Sequence, residues 1–117
     1  MTNKKLVFAG IISFATIAGC TYKKATNCVP SNTVTYTNAI ATIMSDNCTS
    51  CHKAGNANAG LKFDSYANML TDAKDKLNFM GSINHINSYK AMPQGAAKLD
   101  DSTIAKIQSW VNGCMPE

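Results

Sequence analysis

Cys48-Thr49-Ser50-Cys51-His52 is the stretch on which the reading of this chain turns. Two thiols three positions apart, followed at once by an imidazole, suit three kinds of chemistry. They are a redox-active dithiol, half of a zinc site, and attachment of one haem, in which the thiols add across two vinyl groups and the histidine swings under the ring to the iron. Zinc needs four ligands, and beyond this trio the chain offers His85, with Cys28 and Cys114 far off in sequence and no second CxxC. A thioredoxin-like dithiol wants a strand before the motif and a βαβ surround, which these flanks do not supply. The segment therefore reads as a haem attachment site, with a chance CxxC before a histidine as the bland alternative.

Working outward, the residues before the motif read as a helix. From Thr35 to about Asn47 the apolar positions Tyr36, Ile40, Ile43 and Met44 recur at three- and four-residue steps, with Thr35 or Thr37 available as N-cap. Lys53 to Gly60 is a Gly-, Asn- and Ala-rich loop able to turn closely around something flat. Asp64 or Ser65 caps a second helix to about Asp72 with Tyr66, Met69 and Leu70 on one side. Leu77 to Ile86 is a third short helix expected to turn Leu77, Met80, Ile83 and Ile86 inward. Asp100 caps a last helix whose apolar stripe is Ile104, Ile107, Trp110 and Val111, ended by Gly113. No good strand candidate is present. The fold class is all-α, with four to five short helices. Helices this short form a marginal core alone, and a buried cofactor would complete it.

Iron held by His52 needs a second axial ligand. Met92 lies in a loop that Pro93 pushes out of helical geometry, where a thioether can face the metal. The competitor is His85, the only spare imidazole, since bis-histidine haems exist. Met44, Met69 and Met80 read as core fillers, and Met115 as terminal.

The ends of the chain carry a different message. Lys4 and Lys5, an apolar run from Leu6 through Ala18 and small residues after it form an export signal too short to span a bilayer comfortably. Thr16-Ile17-Ala18-Gly19-Cys20 resembles the lipobox at which bacterial lipoproteins are cut and acylated, so residues 1–19 read as a lipoprotein signal peptide and Cys20 as the lipidated first mature residue. The alternative is ordinary cleavage nearby, with Cys20 a free thiol. Residues 20–34, polar and broken by Pro30, form a tether, and residues 35–117 form the haem domain. Cys28 and Cys114 either pair, closing a loop worth about 4 kcal/mol on the chain-entropy model, or remain unpaired or intermolecular thiols.

Charge narrows the partners. The full chain carries +4, and removing Lys4 and Lys5 leaves 4 − 2 = +2. All eleven basic residues are lysine, so no guanidinium clamps phosphate, and this is not a nucleic-acid charge balance.

CxxCH after a first helix, a late Met92-Pro93 loop, and an amphipathic helix bearing Trp110 and ending in Gly113 resemble the mono-haem class I c-type cytochromes over about residues 35–116. The resemblance implies a small cytochrome c-like fold of four to five short helices wrapped around one covalently attached haem, with thioether attachment at Cys48 and Cys51, proximal ligation by His52, distal ligation by Met92, and Trp110 on a terminal helix that crosses the first. Two features depart from the family. Its frequent Gly and aromatic, eight and four residues before the first haem cysteine, are here Ile40 and Met44, which loosens or re-angles the expected helix crossing. No proline follows the motif to receive the His52 ring N–H, so another backbone oxygen, near Gly55 or Gly60, must fix the tautomer.

The expected function is electron transfer. A membrane-tethered carrier in the periplasm or cell envelope would cycle Fe(II)/Fe(III) between a quinol-oxidising complex and a terminal oxidase or reductase. No distal acid–base pair beyond His85 is evident, so the chain reads as a carrier and not an enzyme. The alternative is a haem enzyme, or a gas- or peroxide-reactive sensor, with a labile distal ligand.

Overall fold

Thr35 opens the first helical segment. Its hydroxyl accepts from the Asn38 N–H at 3.1 Å while the Asn38 side chain accepts from the Thr35 N–H at 2.8 Å, a reciprocal cap that satisfies two donors left over at a helix start. The computed structural model describes residues 33–117, so the expected leader, Cys20 and Cys28 lie outside the described residues. Tyr36–Ile40 forms a π-helical turn that runs into α1, Ala41–Asn47. Ile40 and Met44 are buried and Ile43 is half-buried against them, as the periodicity predicts.

From His52 onward the chain makes a hairpin that sequence patterning did not predict. Strands β1 (His52–Lys53) and β2 (Asn56–Ala57) pair antiparallel, His52 opposite Ala57 and Lys53 opposite Asn56. Gly55 allows the turn, since its φ of 83° lies where an L side chain is strained. A 3-10 turn, Asn58–Gly60, follows.

Helix α2, Tyr66–Asp72, starts on Ser65, whose side chain accepts from the Asn68 N–H. Helix α3, Lys76–Ile83, starts on Asp75 in the same way. Helix α4, Asp101–Asn112, starts on Asp100. Each cap is a short polar side chain whose oxygen reaches the third N–H. All four predicted inward residues of α4 are buried.

The two middle helices depart from prediction. Leu70 is 41% exposed, Leu77 77% and Ile86 51%, while Met69 and Ile83 are buried and Met80 is half-buried on the core. The reason is that α3 turns a mixed polar and apolar face to a cavity, so its apolar residues alone do not mark its inner side.

The core sits where the ends of the domain meet. Helix α4 packs on the Tyr36–Ile40 turn, and Tyr36 lies 6.3 Å from Trp110 and 5.5 Å from Tyr66, ring centre to ring centre. Gly113 caps α4 without a left-handed backbone. That conformation falls on Cys114 (φ 71°) and Met115 (φ 56°), and the Met115 N–H returns to the Trp110 carbonyl. Met115 is no loose end: it is buried at 4% exposure. Its carbonyl accepts from the Tyr66 hydroxyl, and the Pro116 carbonyl accepts from both the Tyr36 N–H and the Trp110 indole. Among the described residues, no helix is long and apolar enough to cross a membrane.

Candidate haem-binding site

The motif is an extension of α1. The Cys48 N–H bonds the Met44 carbonyl, and the His52 N–H bonds the Cys48 carbonyl at 2.9 Å, so one more helical turn carries His52 beneath the helix end. The extended segment after the 3-10 turn then locks it. The His52 carbonyl accepts from the Phe63 N–H at 2.8 Å, and the two rings lie 5.1 Å apart, centre to centre. His52 is buried, at 8% exposure.

Its Nδ1 lies 3.1 Å from the Asn58 carbonyl oxygen. A carbonyl only accepts, so Nδ1 carries the proton and Nε2 is left for coordination. The oxygen that sets the tautomer is that of Asn58, in the 3-10 turn that ends at Gly60, near one of the two glycines expected from sequence.

Cys48 and Cys51 are free thiols, the first half-buried and the second exposed. Burial pushes the Cys48 thiol up to about 11, the opposite of the lowered value that makes a reactive dithiol or a ready zinc thiolate. Among the described residues no three His, Cys, Asp or Glu side chains gather as an ion site.

Cys48, Cys51, His52 and Met92 all line one cavity of about 770 Å³. That volume lies in the range of sites for small ligands and cofactors. Its apolar wall is built by Leu61, Phe63, Phe79, Ile83 and Leu99, and Asp72, Lys74, Asp75 and Lys90 border it. A large flat apolar group with two attachment points and a nitrogen and a sulfur donor fits this donor set and this wall. His85 is outside the lining, and its Nε2 is 3.1 Å from the Met92 carbonyl oxygen.

Sequence reasoning missed Phe63, Phe79 and the Asn58 carbonyl. Leu61 and Phe63 were legible as alternate residues of an extended segment sharing a face. The α3 contribution (Asp75, Asn78, Phe79, Ser82 and Ile83) keeps helical spacing but mixes polar and apolar types, so hydrophobicity alone does not reveal it.

The family model of subunit III of cbb3-type cytochrome c oxidase matches residues 37–111, a span that holds the motif, the Met92 loop and nearly all of α4. The chain belongs to this family. It is a c-type cytochrome domain of all-α fold, and haem-based electron transfer is the activity of that family. No curated protein and no solved structure matches the chain. In this c-type cytochrome the attachment motif, the predicted Met92 and a buried histidine with one nitrogen left for coordination meet at one cavity. Cys28 lies outside the described residues, and the expected pairing with Cys114 lies there with it.

Proposed function

We propose that this chain is a lipid-anchored electron carrier with one haem c, bound covalently through Cys48 and Cys51 and ligated by His52 and Met92. A haem iron bound there would supply the one-electron Fe(II)/Fe(III) couple. The observation that carries the reading is the convergence of those four residues on a single apolar-walled cavity.

The protein's part is positional. The Asn58 carbonyl holds the His52 proton on Nδ1, which raises the ligand strength of Nε2 and fixes the ring plane. Phe63 and Phe79, whose rings lie 5.7 Å apart edge to face, keep water from the histidine side. A methionine opposite a histidine raises the potential relative to a bis-histidine pair, which suits a carrier that receives electrons from a quinol-oxidising complex and delivers them to a terminal oxidase or reductase. The family match supports respiratory partners of this kind. Cys20 would carry the lipid that tethers the domain in the periplasm or cell envelope, and a Cys28–Cys114 bond would pin the tether to the end of α4.

Intact mass, read with a pyridine haemochrome spectrum on protein made in a host able to attach haem, tests the proposal. We expect one haem per chain, retained after denaturation. A mature chain weighing no more than its amino acids and lipid would defeat it. Intact mass after alkylation without reductant checks the disulfide, since label on both Cys28 and Cys114 would exclude the bond.

A further inference from the structure

Helix α3 ends in a way that its own stability does not explain. The Ile86 N–H reaches back to the Gly81 carbonyl at 3.0 Å and the His85 N–H to the Ser82 carbonyl at 3.2 Å, the paired bonds of a Schellman ending. The residue at the left-handed position of that ending is ordinarily glycine, because a side chain there crowds the neighbouring carbonyl. Here it is His85, at φ 56°.

What the imidazole does there is visible one loop later. The Met92 N–H donates to the Ser82 carbonyl at 3.0 Å, and the His85 Nε2 lies 3.1 Å from the Met92 carbonyl oxygen. Both polar groups of the Met92 backbone are therefore held at the C-terminal end of α3, one by the main chain of its last turn and one by the histidine just past it. The carbonyl can only accept, so Nε2 carries a hydrogen toward it, as the neutral Nε2–H tautomer and the imidazolium both do. His85 lies outside the cavity lining while Met92 is in it.

We propose that His85 is a positioning residue: from a strained backbone position it braces the Met92 loop and so keeps the Met92 thioether on the cavity wall. The proposal rests on the reading of Met92 as the distal ligand. Without the brace, the Met92 backbone keeps its hydrogen bond to Ser82 but loses the one at its carbonyl, and the thioether leaves the wall more readily. An external ligand then competes for its place more easily.

The test is an optical titration of the ferric haem-loaded full chain with imidazole, alongside urea unfolding midpoints, for wild type and for His85→Gly, His85→Gln and Met92→Ala. His85→Gly should bind imidazole about tenfold more tightly, the equilibrium equivalent of one lost hydrogen bond. Its unfolding midpoint should be at or above wild type, because glycine relieves the left-handed strain. His85→Gln, whose side-chain amide can still donate, should stay near wild type in imidazole affinity. Met92→Ala should bind imidazole tightly whatever occupies position 85. Wild-type affinity in His85→Gly together with tight binding in Met92→Ala would overturn the brace and leave Met92 as ligand. Unchanged binding in Met92→Ala would overturn both readings. A Gln variant as loose as the Gly variant, or a Gly variant with a clearly lowered midpoint, would show that the ring's bulk or its place in the fold matters rather than its donated bond, and would also overturn the brace.

Discussion

Gly81 is buried on α3, and a Cβ built on it would collide with the ring of Tyr89. The absence of a side chain lets the segment after α3 fold back across the helix, which brings Met92 to Ser82 and His85. Gly81→Ala should therefore destabilise the domain by about 1–3 kcal/mol, the range for forcing extra bulk into a packed site. Urea unfolding of the haem-loaded protein measures the loss, and a wild-type midpoint would mean that Tyr89 moves aside freely. At this same scale His52 shows how little chemistry the backbone needs to supply: one carbonyl at Nδ1 decides which nitrogen is left free for coordination.

Elements in this domain are held at their beginnings. Four helical segments start on Thr35, Ser65, Asp75 and Asp100, and Thr35 adds the reciprocal bond from Asn38. Thr35→Ala should lower stability by about 0.5–2 kcal/mol, with the loss appearing in the unfolding midpoint. Two carboxylates make this scaffold sensitive to acid. Asp100 is held far below the usual carboxylate range by the Ser102 and Thr103 hydroxyls and the Thr103 N–H, and Asp64 is lowered by the Ala54 N–H and the Asn68 side chain. A folded value below the unfolded one means that the stabilisation is present above the ordinary carboxylate pKa of about 4 and is lost as pH falls through the folded values. Urea midpoints recorded from pH 7 down to pH 2 should be level at first and then fall, and a double Asp64→Asn, Asp100→Asn variant should show a shallower fall on the acid side.

Across the whole molecule, the last residues clamp the core. Met115 is buried, and the carbonyls of Met115 and Pro116 receive three donors from Tyr36, Tyr66 and Trp110, which lie on three different helical segments. Deleting residues 115–117, which leaves Cys114 in place, should cost at least about 2 kcal/mol, the lower end for losing a buried methionine. Thermal unfolding of the truncated, haem-loaded chain checks this. The clamp lies among the aromatic residues Tyr36, Tyr66 and Trp110, and its loss should leave the His52–Phe63 contact of the candidate haem cavity in place.

The CxxCH motif, the all-α class, the helix starts at Thr35, Ser65 and Asp100 and the α4 stripe are legible in the sequence alone, because each rests on neighbours within one or two helical turns. Local chemistry such as a capping oxygen or a CxxCH spacing needs no knowledge of where the chain returns. The inner face of α3, the burial of Met115, the Asn58 oxygen and the bond from His85 to Met92 are not legible there. Each depends on a second segment arriving from elsewhere in the chain. Leu77 and Ile86 show the limit most clearly: their spacing is that of an inward stripe, yet they face solvent, because the cavity beside α3 is walled by Asn78, Phe79 and Ser82 instead. Hydrophobic periodicity reports which residues avoid water, and a face that is to meet a cofactor is under a different demand.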